Sequence, residues 1–175
     1  MDAPDIARKL RQISRRLHLR DDTLYRARAY EQAALMVEGH ADDLAERIAR
    51  GTLTELDGIG TTTARTITEL WHTGKSDYLG RLEAEIPDGV LQVAAIHGIG
   101  PKRAMALFRS LRITSPAELK GACLEHRVQA LPGFAAKLEQ RLLEAVMAWE
   151  GKRGTAAASA AQMPLPLGTE AHGPA

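Results

Sequence analysis

Aromatic residues make up only 4% of this 175-residue chain, and it holds a single cysteine. With so few rings, alanine and leucine must carry the packing of a sequence that is 45% hydrophobic. That favours helix against helix over a strand sandwich. Cys123 has no second cysteine to pair with, so an internal disulfide is excluded and the residue reads as small apolar packing. No apolar run approaches the ~20 residues of a membrane helix, and no secretory leader pattern opens the chain. A cytoplasmic protein with no membrane partner is expected. Charge of one sign is lacking too, since the net value is +1.

The charge is unevenly spread, however. Residues 1–30 carry eight Lys/Arg against four Asp/Glu, residues 31–100 five against twelve, and residues 101–153 ten against five. Two basic ends bracket an acidic middle, a layout that permits one DNA-facing side.

Helical periodicity runs almost throughout. Ile6, Leu10, Ile13 and Leu17 form one apolar stripe, with Arg8, Arg11, Arg15 and Arg16 largely off it, either as a solvated face or as contacts to a nucleic-acid backbone. Asp21, Asp22 and Thr23 supply a cap for a second helix from Leu24 to Val37, whose apolar side is Tyr30, Ala33, Ala34 and Val37. A short third helix ends at Arg50 before Gly51. Further helices are expected before Gly74, over Leu79 to Ile86, after Pro101 to Leu111, from Ser115, and from Ala135 to Trp149 on the face of Leu138, Leu142 and Val146. Residues 152–175 read as a disordered tail. No stretch reads as a strand.

Three tight turns recur every 35 to 40 residues: Leu56 to Gly60, Ile96 to Gly100, and Leu131 to Ala135. Each places an apolar residue, then a glycine, at the entrance to a helix. Glycine permits backbone angles that other residues resist and lets another chain come close. The first amides of the helix after each turn lack internal partners and carry the positive end of its dipole, which makes a seat for a phosphate. At the second turn Gly98 and Gly100 are followed by Lys102 and Arg103, the arrangement best suited to DNA. Gly58, Gly60 and Thr62 form an uncharged counterpart. The third turn has Ala135 for the second glycine and Phe134 in the middle, and reads either as a packing turn or as a weaker contact.

Together these residues resemble the amino-terminal portion of family X DNA polymerases. The resemblance is carried by Tyr25 to Tyr30 with Ala33 and Ala34, by Leu53 to Gly60, by Ile96 to Ala104, and by Leu131 to Phe134. It implies an all-α fold of tandem helix-hairpin-helix units, with a lyase-like DNA-end domain over residues 1–86 and a fingers-like domain over 87–151. It also implies a Na+ or K+ ion at the hairpins, held by the carbonyls of Thr54, Leu56 and Ile59 and of Ala94, Ile96 and Ile99. Arg26 and Tyr30 fall where the family binds a 5′-phosphate.

The family's two activities meet residue tests. Nucleotidyl transfer needs paired carboxylates holding metals in a palm domain; here Pro164 to Gly168 resembles only its lead-in, and Asp21, Asp22, Asp42 and Asp43 are explained by capping. Lyase chemistry needs a Schiff-base lysine, and the matching position is Thr66, with Thr62 one turn earlier. Lys75, in the loop after Gly74, is the one lysine nearby. The expected function is therefore sequence-independent, non-catalytic DNA binding at gaps, nicks or 5′-phosphate ends in DNA repair, in the cytoplasm or at a nucleoid. Its rivals are a lyase using Lys75, part of a split or truncated polymerase, and a scaffold that binds repair proteins through Phe134, Trp149 or the tail.

Overall fold

The computed structural model describes residues 1–20 and 24–161. Among them every regular element is helical. The expected cap at Asp21, Asp22 and Thr23 lies outside the described residues.

Helix α1 (Ala3–Leu19) is the spine. Asp2 caps it by accepting the Asp5 amide at 2.9 Å, and its stripe of Ile6, Leu10, Ile13 and Leu17 is completely buried. Full burial of such side chains is worth about 1.5–3 kcal/mol each. Helix α2 (Leu24–Gly39) lies along α1 through Ala27, Tyr30, Ala33, Ala34 and Val37. The alanines allow close approach, and Ser14 Oγ donates to the Ala27 carbonyl at 2.8 Å across the contact. Helix α3 (Leu44–Arg50) ends at Gly51 in the left-handed conformation, and a 3₁₀ turn over Leu53–Glu55 leads to the first hairpin. Helix α4 (Thr61–Thr73) and helix α5 (Asp77–Glu85) complete the first core with Ile67, Leu70, Leu79 and Leu82.

A second core gathers around α6 (Asp88–Ala95), α7 (Gly100–Leu111), α8 (Pro116–Leu124) and α9 (Ala136–Ala161). Gly89 belongs at the start of α6 because a Cβ there would sit 1.5 Å from the Thr114 carbonyl oxygen. Helix α8 opens with a reciprocal capping box. Ser115 Oγ accepts the Glu118 amide at 3.1 Å, and Glu118 Oε2 accepts the Thr114 amide at 2.6 Å. Those bonds hold the Glu118 carboxyl below its ordinary range. Cys123 is buried in this core, which pushes its thiol up to about 11 and leaves it inert, as packing alone requires.

Two expectations are corrected. Arg16 is neither solvated nor available to DNA: it is fully buried, donating to the Ile86 carbonyl at 3.0 Å and pairing with Asp88. Arg11 is likewise committed, to Glu38 at 2.6 and 2.7 Å and to Glu31 at 3.3 Å on α2. The second correction concerns the tail, because α9 continues past Trp149 to Ala161. Alanine is the strongest helix former, and the run Ala156 to Ala161 offsets the cost of Gly151 and Gly154. The remainder of the expected tail, residues 162–175, lies outside the described residues.

Candidate nucleic-acid interface

The three turns share the backbone of their first glycine and of the residue after it. Gly58, Gly98 and Gly133 all have positive φ, of 81°, 85° and 81°. In each, the amide of the next residue (Ile59, Ile99 or Phe134) donates 3.1 Å back to the carbonyl three positions earlier (Leu56, Ile96 or Leu131). The side chain of that residue is buried in all three cases, Ile59 in the first core and Ile99 and Phe134 in the second. The glycines themselves face solvent. One apolar plug thus holds each hairpin while its backbone is presented outward.

The helix entrance beyond each plug differs from turn to turn. At the second hairpin Pro101, Lys102 and Arg103 are exposed in the first turn of α7. Pro101 has no N–H, so it wastes none of the unpaired amides there. Arg103 Nη1 donates to the Gly98 carbonyl at 2.7 Å, which draws the guanidinium over the hairpin instead of leaving it at large. No heavy atom would lie within 4 Å of a Cβ at Gly98 or Gly100, so another molecule can reach this backbone.

The first hairpin forms one wall of a cleft of about 1210 Å³. Gly58, Gly60 and Thr62 line it from the hairpin, and Arg26 and Tyr30 line it from α2. The structure thus brings together five residues singled out in the sequence. Tyr30 is held there by its hydroxyl, 3.3 Å from Thr66 Oγ1, and by its ring, 5.8 Å from that of Tyr78. Burial raises its hydroxyl pKa further above the ordinary value. Thr66 is buried and also donates to the Thr62 carbonyl at 3.1 Å, so its hydroxyl braces α4 against α2.

Tyr25, Arg65, Tyr78 and Arg81 also line the cleft; Tyr25 helps carry the resemblance, but none of the four was assigned to the site from sequence. They come from α2, α4 and α5, and only the folded chain joins them. The cleft carries both signs of charge: Arg26, Arg65 and Arg81 face Glu55, Asp57, Glu69 and Asp77. Glu69 is partly spent on the Asp77 amide at 2.9 Å. Among the described residues no lysine lines this cleft; Lys75 borders a separate groove with Lys9.

The third hairpin opens α9 with exposed Ala136 and Lys137. Its approach is fixed by Glu139, a buried carboxylate that takes the His126 Nδ1 hydrogen bond and the Gln129 amide, each at 2.8 Å. Burial pushes this carboxyl up, but those hydrogen bonds outweigh it and hold it below the ordinary value. The carbonyls of Leu56 and Ile96 each take one turn amide and keep a second lone pair. Among the described residues, no group of three or more His, Cys, Asp or Glu side chains is placed to hold a metal ion.

Comparison with known proteins finds two matched segments. Residues 1–76 match the helix-hairpin-helix domain family, and residues 90–147 match the SAM-like helix-hairpin-helix tandem. The DNA polymerase/3′-5′ exonuclease PolX of Bacillus subtilis (strain 168) is 32% identical over 146 residues, which cover 83% of this chain and 25% of that protein. The chain therefore spans about a quarter of its relative's length.

Proposed function

We propose that this chain, which carries the tandem helix-hairpin-helix region of the family X DNA polymerases, grips the DNA backbone without regard to sequence and performs no chemistry on it. The observation that carries the reading is the pair of turns that share an outward-facing first glycine at positive φ and a buried isoleucine plug, each opening a helix, the second followed by exposed Lys102 and Arg103. Backbone amides meet phosphate and not base edges, so affinity depends on salt and not on sequence. Gly98, Gly100, Lys102 and Arg103 form the principal seat, and Gly58, Gly60 and Thr62 a weaker one.

The finer reading is DNA repair at gaps, nicks or 5′-phosphate ends. It rests on Arg26, with Arg65 and Arg81, in the cleft beside the first hairpin. In that division residues 1–86 hold the DNA end and residues 87–151 grip the adjoining duplex. A Na+ or K+ ion at the carbonyls of Thr54, Leu56 and Ile59, or of Ala94, Ile96 and Ile99, would add positive charge between hairpin and phosphate. The cations of the cleft, Arg26, Arg65 and Arg81, suit phosphate binding and are not imine-forming amines. A gripping role within a larger polymerase assembly is the second reading, favoured by the chain's covering a quarter of PolX.

Fluorescence anisotropy with Gly100→Val, and with Lys102→Glu and Arg103→Glu together, tests the assignment. A sharp loss of DNA affinity with helicity intact is expected; unchanged binding refutes the placement. Borohydride trapping on abasic DNA tests the absence of chemistry, since a covalent adduct overturns it.

A further inference from the structure

Helix α1 belongs to both cores. Its stripe from Ile6 to Leu17 fills the first, while Leu19 is buried in the second. Next to Leu17 is Arg16, completely buried, with three sets of partners. Its Nε donates to the Ile86 carbonyl at 3.0 Å, its Nη1 to the Gln12 carbonyl at 3.3 Å, and its Nη2 pairs with Asp88. Ile86 is the last residue before Pro87 and α6, and Asp88 is the first residue of α6. A buried guanidinium is costly unless its charge and hydrogen bonds are met, so this geometry tolerates little displacement of α6 from α1. One turn further on, Arg20 pairs with Glu85 at 3.3 Å and holds the end of α5, just before that junction, to the end of α1.

We infer that Arg16 is a positioning residue: with Asp88 it locks the helix that leads into the second hairpin onto the helix that carries the first core, and so fixes the span between the two DNA seats. The inference rests on the backbone-binding reading of the hairpins. A fixed span makes engagement of the second seat intramolecular once the first is bound, and affinity then exceeds that of either seat alone. A loose joint leaves each seat able to bind but lowers the effective concentration of its partner. Helix α1 thus contributes to DNA affinity without touching DNA.

The test uses the full chain, with Arg16→Met and, because Asp88 is largely exposed and can be changed without cutting into the core, Asp88→Ala as well. Donor and acceptor dyes at Ala49→Cys on α3 and Ser110→Cys on α7 report the relation of the halves, while buried Cys123 stays unlabelled in the folded protein. Without DNA, the variants should broaden the distance distribution relative to the parent at unchanged helicity. With DNA, the parent should prefer a duplex of about 20 base pairs over one of about 8, less than a helical turn, by about 100-fold. In the variants that preference should fall at least about tenfold, with binding to the short duplex unchanged. A narrow distribution in both variants overturns the inference whatever DNA does. Broadening with an unchanged preference removes the coupling of the seats, and broadening in a protein that binds neither duplex keeps the strut while refuting the DNA reading.

Discussion

The first and second hairpins have the same skeleton and different surroundings. Both place a glycine at φ above 80°, both return the next amide 3.1 Å to the carbonyl three residues back, and both bury an isoleucine at 4% exposure. They part at the second glycine, where Gly60 is extended at φ −85° while Gly100 is left-handed at φ 70°. They part further in their neighbours. The first hairpin has Asp57 before it, Thr61 and Thr62 after it, and Gln32 packed against Gly58. The second has His97 before it, Lys102 and Arg103 after it, and open space at both glycines. Shape comes from the apolar plug and the first glycine; in the proposed reading, strength as a phosphate seat would come from the side chains in the first turn of the next helix.

The sharpest way to break the comparison is charge reversal. Lys102→Glu with Arg103→Glu should cost about two decades of affinity at low salt, since two attractive contacts become repulsive. It should also flatten the plot of log K against log salt by about two, checked by anisotropy over a salt series. The next effect is on folding. Gly58→Ala and Gly98→Ala both force a side chain into a left-handed conformation, a cost of about 1–2 kcal/mol. A Cβ at Gly58 would also come within 2.5 Å of Gln32 Cγ, whereas Gly98 has room. Urea denaturation should therefore find Gly58→Ala the more damaging by about 1 kcal/mol or more.

A gain-of-function change sharpens the comparison from the other side. Thr62→Lys supplies the first hairpin with the charge it lacks, and should raise affinity about two- to fivefold and steepen the salt plot by about one. The smallest effect concerns the third hairpin. The Glu139 carboxyl is depressed in the folded state, so the unfolded chain binds more protons in acid. Its contribution is fully present above the ordinary value of 4.5 and is lost as pH falls through the lower folded value. Glu139→Gln should remove that part of the acid sensitivity in thermal melts at graded pH.

These differences also mark how far the sequence could be read. The stripe of α1, the caps at Ser115 and Gly51, and the three turns are local patterns of spacing and side-chain chemistry. They were legible because the residues involved lie within a few positions of one another. Arg16 was not, since its burial depends on Ile86 and Asp88, some 70 residues away. Among other arginines off the apolar stripe, nothing local distinguishes it. Arg65, Tyr78 and Arg81 escaped for the same reason: α4 and α5 bring them to Arg26 only when packed on α2. The extension of α9 had a local signal in the alanine run, but Gly151 and Gly154 masked it as a boundary. Lys75 is the lysine nearest in sequence to Thr66, yet the fold turns it to a different groove.

The central claim is that the second hairpin grips DNA harder than the first because of the basic pair just beyond its plug. The direct measurement is anisotropy of one gapped, 5′-phosphorylated duplex titrated with the parent and two neutral variants, Lys102→Gln with Arg103→Gln, and Thr61→Ala with Thr62→Ala. The first variant should lose about tenfold or more in affinity and the second no more than about threefold. Equal losses, or a larger loss at the threonines, would contradict that claim.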